Sequence, residues 1–543
     1  MVHTAVRRER SAAWAVHEHY VLRLLWSLAR DPDEVVLRWR GGSITRWELS
    51  GRIVRAASTL HDRGIGSDQT VAVLTGVNDP EMLVARYAAH LVGATVVYVH
   101  SANPRSGDVL LPEQVQADIL RTAGARVLVT DLAHLARART LAALLGDALE
   151  LASTGFDADD AWRLDSDSSS PVRSIGYRPD ATAVVTFTSG TTGRPKAIAQ
   201  PYRTWNATVG SFAPSTDPQA PATFLAVTPL NFTIGSMLDS VVIGGGRVLL
   251  QDSFDARAVI NAIQTERVTD TYLAVPHLYQ LLDHPDLDRA DLSSLRRVIY
   301  SGSPAAPHRI AAAAERLPGC LYQLYGSTEC GGISSLTPAA HLRPDLLGTV
   351  GRPIPGVAVR VVDPDTGHEM PAMTKGETGP VGEIWVRART TMSRYLGEPA
   401  EQLTDGWLRT GDLGHLDEHG YLTLTGRRAG VIKTGGHKVY PAAVEAVLTS
   451  HPAIRHAVVY GVSDGDRREH VHAAIVLRPD AECGEAALDD LVASRLTADH
   501  VPQAYHRWAE LPLTERGKPD LARLRSRSAG AEERTDDVTP FSA

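Results

Sequence analysis

The segment Phe187-Thr-Ser-Gly-Thr-Thr-Gly-Arg-Pro-Lys196 is the most informative stretch of the sequence. It follows the β-branched run Thr182–Phe187, which is typical of a buried strand. Glycines let the backbone approach a ligand closely, hydroxyls and free amides supply neutral donors, and Lys196 supplies charge. The spacing is neither that of GxxxxGK[ST] nor that of GxGxxG. The composition suits a polyphosphate, with an ordinary Gly/Ser/Thr turn as the structural alternative.

The sequence on both sides of this segment alternates short apolar runs with helix-period stretches. Strands are predicted at Thr70–Leu74 and 94–99, with a helix at 81–90 between them. Two further buried strands are predicted at Arg297–Tyr300 and 320–324. This pattern predicts an α/β class, with a large N-terminal domain of several subdomains whose open sheets are flanked by helices. Ligands of such sheets bind at the carboxyl ends of the strands.

The rhythm changes after Gly426. A glycine-rich turn is followed by a predicted helix from Pro441 and predicted strands at 456–462 and 471–477. This order predicts a small, mobile α+β domain. The predicted division is a large domain at 1–428, a small C-terminal domain at 429–525 and a disordered tail at 526–543.

Composition excludes several classes of function. A chain of 543 residues with 43% hydrophobic residues is too long for one core and predicts three or four structural units. The net charge of -8, without a basic stripe, argues against nucleic-acid binding. No apolar stretch is long enough to cross a membrane and none forms a secretory signal, so the expected location is the cytoplasm. Cys320, Cys330 and Cys483 lack the spacing of a disulfide framework or a zinc site.

Lysine is rare in this chain. Of the 55 basic residues only five are lysines, and arginine therefore serves as the surface cation. Codon bias accounts for the low total but not for the positions, since lysine and arginine differ where a compact ammonium must meet a phosphate or a carboxylate. The five are Lys196, Lys375, Lys433, Lys438 and Lys518. No role is assigned to Lys375.

Four segments, in this order, resemble the motifs of the acyl-adenylate-forming superfamily. That superfamily comprises acyl-CoA synthetases, aryl-acid ligases, peptide-synthetase adenylation domains and beetle luciferases. The segment ending at Lys196 resembles its phosphate loop, and Tyr325-Gly-Ser-Thr-Glu329 its YGxTE element. The stretch 407–412, with Gly426-Arg427 after it, resembles the ribose-binding and hinge region, and 512–518 the catalytic-lysine loop. The resemblance covers nearly the whole chain.

The resemblance implies a role for each matching residue. A carboxylate attacks the α-phosphate of ATP, so neutralisation of charge and positioning should dominate catalysis. Asp412 would accept the ribose hydroxyls, Arg427 would support the ribose, and Glu329 would bind Mg²⁺. Thr328 would contact the α-phosphate, and Lys518 would be the catalytic cation. The phosphate loop would comprise Thr188, Ser189, Gly190, Thr191, Thr192, Gly193 and Lys196, and the adenine site Gly302, Ser303, Pro304, Tyr325 and Gly326.

The chain departs from the family pattern at the hinge and in the acid pocket. The resemblance places the pivot of domain rotation at Ala429, where relatives commonly carry a charged residue. It places Asn231 and Phe232 where amino-acid-activating relatives bind the substrate ammonium. A buried ammonium facing phenylalanine would be uncompensated, which disfavours α-amino acids. Asp239 leaves an alternative open, because a slipped register would return a carboxylate to the pocket.

The leading interpretation is a free-standing, AMP-forming acid–CoA ligase that uses ATP, Mg²⁺ and CoA. Its predicted partner is a small, hydrophobic carboxylic acid. Gly435, Gly436 and Lys438 would face the incoming thiol. One alternative is an acyl-AMP ligase that loads the phosphopantetheine of a carrier protein. A non-catalytic binding relative and a luciferase-like oxygenase are the others, and the identity of the acid is left open.

Overall fold

The computed structural model of the protein describes eleven stretches of the chain, separated by short gaps. They are 18–99, 111–166, 177–189, 195–212, 221–230, 232–372, 381–397, 403–434, 437–464, 469–512 and 519–530. Within these stretches no helix is both long and apolar enough to cross a membrane.

A nine-stranded sheet forms one layer of the large domain. Its strands are β1 Val35–Trp39, β2 Gly42–Thr45, β10 Thr223–Ala226, β11 Arg247–Leu250, β12 Asp270–Ala274, β13 Arg297–Ser301, β14 Leu321–Ser327, β15 Gly331–Leu336 and β16 Arg352–Pro353. Their spatial order is β16-β15-β14-β13-β12-β10-β11-β1-β2. The run from β14 to β1 is parallel, so those strands end at one edge. The predicted strands at 297–300 and 320–324 are confirmed as β13 and β14.

An eight-stranded sheet forms a second layer. Its eight strands are β3 Thr70–Leu74, β4 Thr95–Tyr98, β5 Ala125–Thr130, β6 Glu150–Ser153, β7 Trp162–Arg163, β8 Thr182–Ser189, β9 Pro195–Pro201 and β19 Arg394–Tyr395. The order is β19-β9-β8-β4-β3-β5-β6-β7. All of β3 is buried, as its continuous apolar run predicts. β8 and β9 are antiparallel neighbours, so the segment predicted to bind phosphates joins two paired strands.

Helices cover both large sheets. They are α1 Tyr20–Leu28, α2 Arg46–Asp62, α3 Pro80–Leu91, α4 Glu113–Ala123, α5 Leu135–Leu145, α6 Tyr202–Ser211, α7 Phe232–Ile243, α8 Ala256–Glu266, α9 Val275–Leu282, α10 Pro307–Arg316 and α11 Pro338–His341. Local sequence explains several starts. Asp79 caps α3 ahead of Pro80, and Asp255 caps α8 by accepting from the amide of Ala258. The predicted α/β class is confirmed.

A five-stranded antiparallel sheet follows in the chain. It contains β17 Val357–Val362, β18 Gly382–Ala388, β20 Leu403–Thr404, β21 Trp407–Leu416 and β22 Leu422–Arg427. Strand β21 pairs with β18, β20 and β22. β21 and β22 contain two of the predicted nucleotide residues, Asp412 and Arg427, which face each other across the pair.

The C-terminal part has its own core. After a 3-10 turn at Arg428–Gly430 come β23 Ile432–Thr434, β24 His437–Val439, α12 Pro441–Thr449, β25 Ile454–Ser463, β26 Glu469–Leu477, α13 Glu485–Arg495, β27 Ala504–Arg507 and α14 Leu521–Gly530. Buried side chains from these elements, among them Val444, Leu448 and Ile475, form a separate apolar cluster. This agrees with the predicted small α+β domain. Residues 526–530, predicted to belong to a disordered tail, are instead helical in α14, which the buried Leu524 and Ser528 anchor; the rest of the predicted tail lies outside the described residues.

The three cysteines are buried, free thiols. Cys330 directly follows Glu329 and is fully buried. Burial raises the pKa of its thiol to about 12 and that of Cys320 to about 11. In the folded protein these thiols are therefore protonated at neutral pH.

Candidate active site

The ends of two neighbouring parallel strands bring two predicted segments together. β13 pairs with β14 through Tyr300 and Gln323, so the loop Gly302-Ser303-Pro304 lies next to the last residues of β14, which Thr328 and Glu329 follow. Gly302 has φ +99, a backbone conformation that favours glycine. This edge of a parallel sheet is where α/β folds bind ligands.

Close backbone contact shapes the turn between β14 and β15. A Cβ placed on Gly326 would lie 2.2 Å from the carbonyl oxygen of Gly331, so only glycine fits there. The register of the two strands shifts between Tyr325 and Gly326. The turn then presents Thr328 and Glu329, which are both half-buried.

Glu329 is held by residues from a different part of the chain. The hydroxyl of Tyr395 donates to its Oε1 at 2.9 Å, and the amide of Met392 donates to its carbonyl at 2.6 Å. Gln200 donates from Nε2 to the carbonyl of Thr328 at 2.7 Å. Thr328 and Glu329 are thus fixed by β9, which contains Gln200, and by the segment that ends in β19.

Lys196 lies at the start of β9 and beside the same tyrosine. Its Nζ is 5.1 Å from the centroid of the Tyr395 ring. A cation over an aromatic face is attracted by the ring quadrupole. Tyr395 therefore contacts Lys196 through its ring and Glu329 through its hydroxyl, joining two groups of opposite charge that the sequence had assigned to one site.

Asp412 is the centre of a second group. Tyr325 donates its hydroxyl to Oδ2 at 2.6 Å, and the Nε of Arg427 lies 2.8 Å from Oδ1. Burial, and then Asp412, raises the pKa of Tyr325, which keeps the hydroxyl protonated as a donor. Asp412 is also the largest cause that raises the pKa of Arg427. A carboxylate has about four lone-pair positions, so it retains capacity for further donors such as ribose hydroxyls.

The donor set at Glu329 fits Mg²⁺. This hard cation prefers oxygen ligands and is usually bound by one or two carboxylates together with substrate phosphates. Among the described residues, no cluster of three or more His, Cys, Asp or Glu side chains could hold a metal unaided. A cation shared between Glu329 and a nucleotide phosphate matches these residues.

The start of α7 is the predicted acid site. Phe232 begins the helix, its side chain lies outside what the structure describes, and Asn231 falls outside the described residues. Asp239, two turns further on, is fully buried. Arg86, Tyr87 and Trp205 donate to its carboxylate at 2.6, 2.7 and 3.3 Å. The carboxylate that a slipped register would bring into the pocket is therefore already neutralised by Arg86.

Several predicted residues cannot be placed in the site from their side chains. Thr188 and Ser189 end β8, Ala429 lies in the 3-10 turn and Lys438 lies in β24, in each case with backbone description only. The others fall outside the described residues: Gly190, Thr191, Thr192, Gly193, Gly435, Gly436 and Lys518. Their roles stay predictions.

Two residues that hold the site were missed in the sequence. Tyr395 and Gln200 reach it because β19 pairs with β9, with Tyr395 opposite Ile198. No local sequence pattern predicts that β19 pairs with β9, because the two segments are far apart in sequence. The one available signal is that Gln200 is a polar residue in the apolar strand β9, where it is fully buried.

Comparison with known proteins gives matches along most of the chain. The AMP-binding enzyme family matches residues 24–396, and the AMP-binding enzyme C-terminal domain matches 443–518. Indoleacetate–CoA ligase of Aromatoleum aromaticum is 31% identical over 504 residues, which cover 90% of this chain and 94% of that protein.

Two solved structures have a similar overall fold. Amide bond synthetase McbA from Marinactinospora thermotolerans is 36% identical with a TM-score of 0.83, and the match covers 94% of this chain and 99% of McbA. The o-succinylbenzoate CoA synthetase MenE of Bacillus subtilis, in complex with an acyl-adenylate intermediate, is 26% identical with a TM-score of 0.78, covering 96% and 99%. With one family matching more than half of its length and a second matching its C-terminal part, the chain belongs to the AMP-binding enzymes.

Proposed function

We propose that the protein activates a carboxylic acid with ATP and transfers the acyl group to the thiol of CoA. A carboxylate oxygen attacks the α-phosphorus, the bond to the β-phosphate oxygen breaks, and pyrophosphate leaves. The thiolate sulfur then attacks the acyl carbonyl, and AMP leaves. The observation that carries the proposal is a pair of linked groups, Lys196–Tyr395–Glu329 and Tyr325–Asp412–Arg427, which meet around the carboxyl end of β14.

Each group has a task in the first step. Lys196 and Glu329, the latter through Mg²⁺, bind the phosphates of ATP. They offset the repulsion between these phosphates and the attacking carboxylate. Asp412 and Arg427 orient the ribose, and Tyr325 stacks on the adenine. Lys518 is the cation that stabilises the α-phosphate as charge reorganises. Most of the rate enhancement then comes from preorganised charge and position.

The acid is a hydrophobic acid rather than an α-amino acid. By resemblance to the family, Phe232 is assigned the position where an ammonium would need a carboxylate. The carboxylate of Asp239, on the same helix, already accepts hydrogen bonds from Arg86, Tyr87 and Trp205 and is fully buried. An acid without an amino group avoids an unpaired buried charge. Similarity to an indoleacetate–CoA ligase supports aryl acids as the first class to test.

An amide synthetase is the second candidate. It shares the adenylation step, but an amine nitrogen replaces the thiol sulfur in the second. The observation that favours it is the similarity to McbA, which is named an amide bond synthetase. Thiol and amine acceptors would meet the same acyl adenylate, so the first half-reaction does not separate the two candidates.

The test is acid-dependent pyrophosphate release, measured across fatty, aryl and amino acids. Products are then identified with CoA, a phosphopantetheinylated carrier protein or an amine as the acceptor. We expect release with a hydrophobic acid and thioester with CoA. Glu329→Gln should slow release strongly with every acid and acceptor while the fold is retained, because the amide lacks the charge needed for Mg²⁺. Release with none of the acids would contradict the proposed activity, and amide as the sole product would favour the second candidate.

A further inference from the structure

One asparagine joins the two large sheets next to the start of α7. Asn78 lies between β3 and α3 and is fully buried. Its backbone has φ +57, in the left-handed region that asparagine tolerates better than most residues. A buried amide needs partners for its donors and its acceptor, because each unpaired polar group costs free energy.

All three hydrogen bonds of the Asn78 side chain are made to backbone groups that follow strands of the nine-stranded sheet. Oδ1 accepts from the amide of Leu230 at 3.0 Å. Nδ2 donates to the carbonyl of Thr228 at 3.2 Å and to that of Gln251 at 2.7 Å. Thr228 and Leu230 belong to the turn that connects β10 to α7, and Gln251 follows β11. The side chain therefore fixes both ends of the turn that leads into the acid site.

The loop that contains Asn78 has separate support. The amide of Gly76 donates to Asp131 at 2.7 Å, and Asp79 caps α3 by accepting from the amide of Glu81. The loop and the helix start thus keep their anchors if the Asn78 side chain is removed. Removal of the Asn78 side chain instead takes hydrogen bonds away from the Thr228–Leu230 turn.

We propose that Asn78 is a positioning residue for the carboxylic acid: it sets the turn Thr228–Leu230 and thereby the place of Phe232 at the start of α7. This inference rests on the proposed function, because Phe232 is assigned to the acid site by resemblance. ATP binds at the ends of β13 and β14, which Asn78 does not contact. The acid and the nucleotide should therefore respond differently to its replacement.

The test uses two variants of opposite design. Asn78→Gly keeps the left-handed backbone without strain and removes only the side chain. Asn78→Asp keeps the shape and the acceptor for Leu230, but it places a carboxylate oxygen against the carbonyls of Thr228 and Gln251. Each variant should raise the apparent KM for the acid about ten-fold or more, with the KM for ATP within about two-fold of wild type. The nearly isosteric Asn78→Asp should be at least as damaging as Asn78→Gly.

Asp68→Gly is the matched control. Asp68 also has a positive φ, +70, but its side chain is exposed, so the change tests glycine at a left-handed position without loss of a buried contact. It should leave both KM values unchanged. Circular dichroism and thermal unfolding establish that each variant is folded.

Three results would overturn the inference. The first is an apparent KM for the acid in Asn78→Asp that equals the wild-type value. The second is an equal rise of the KM for the acid and the KM for ATP. The third is loss of folding in both variants, which would make Asn78 a purely structural residue. Failure of the proposed function is seen separately, since wild-type protein would then release no pyrophosphate with any acid, before a variant is made.

Discussion

At the scale of single residues, Tyr395 explains how two opposite charges are kept in one site. Its ring lies beneath the ammonium of Lys196, and its hydroxyl donates to Glu329. A hydrogen bond to a charged group contributes about 1.5–3 kcal/mol, and a cation over an aromatic ring about 0.5–2 kcal/mol. The hydroxyl and the ring are therefore separable contributions.

Replacing Tyr395 tests this separation. Tyr395→Phe should slow pyrophosphate release about ten-fold, because Glu329 loses its donor while Lys196 keeps the ring. Tyr395→Leu should slow it several-fold more, since the ring is also lost. Tyr421→Phe is the control, because Tyr421 likewise packs beneath a cation, Arg352. An unchanged rate in Tyr395→Phe would remove the hydroxyl from the mechanism, and equal rates in the two variants would remove the ring.

Sequence could supply part of this site. Glu329 and Asp412 stand in strings that resemble motifs of the family, and the structure brings both to the carboxyl end of β14, where Glu329 follows the strand and Asp412 contacts Tyr325. Tyr395 and Gln200 could not be found in this way. They reach the site through the pairing of β19 with β9, which depends on the tertiary fold rather than on neighbours in sequence.

At the scale of elements, α14 depends on a polar contact with the sheet β25-β26-β27. Nε2 of His506 lies 3.0 Å from Nδ1 of His472 and 3.2 Å from the Ser528 hydroxyl, which also lies 2.8 Å from the hydroxyl of Tyr460. Burial, then His472 and Arg527, lowers the pKa of His506 to about 4. The contact therefore favours neutral His506.

The pH dependence follows from the sign of this shift. The unfolded chain, with a histidine pKa of about 6.5, takes up the proton before the folded chain does, so stability is lost as pH falls from about 6.5 to about 4. The protection factors of the α14 amides, taken against the intrinsic exchange rate at each pH, should fall over that range. His506→Gln should flatten the dependence, whereas His419→Gln, at an exposed position, should leave it as in wild type. The same slope in His506→Gln would show that another group is responsible.

Element prediction was accurate where a segment had strong local signals. The strand β3 and the cap of α8 by Asp255 are examples. It was wrong for residues 526–530, because α14 is short of large apolar residues and depends on Leu524, Ser528 and the His506 contact for its place. Stability that comes from a few specific tertiary contacts leaves little trace in hydrophobic periodicity.

At the scale of the whole molecule, the turn Arg428–Gly430 is where the two domains are predicted to pivot. Arg428 lies 3.7 Å from Glu383, a buried carboxylate that Arg409 also contacts at 3.0 Å. Ala429 and Gly430 have no charge, so the charged contact next to the pivot is made by the preceding residue. Only the Arg428 side of this pair is exposed, and its 3.7 Å separation is longer than a hydrogen bond, so the contact is weak and compatible with rotation.

Rotation predicts different effects of Lys518 on the two half-reactions. Lys518 itself falls outside the described residues; on either side of it, the amide of Asp520 donates to the carbonyl of Pro512 at 2.9 Å. Lys518→Ala should reduce pyrophosphate release about 100- to 1000-fold, because one preorganised cation is lost. It should convert supplied acyl adenylate to thioester at close to the wild-type rate. Lys375→Ala is the control, and equal loss in both half-reactions would contradict the two-orientation mechanism.

The burial of Cys330 has a consequence for the second half-reaction. An acyl adenylate reacts with any thiolate within reach, and this cysteine is adjacent in sequence to Glu329. Burial raises the pKa of its thiol to about 12, so Cys330 stays protonated at pH 7. In the proposed mechanism the enzyme's own sulfur is therefore a poor nucleophile toward the acyl adenylate, which leaves the acyl group for the external acceptor.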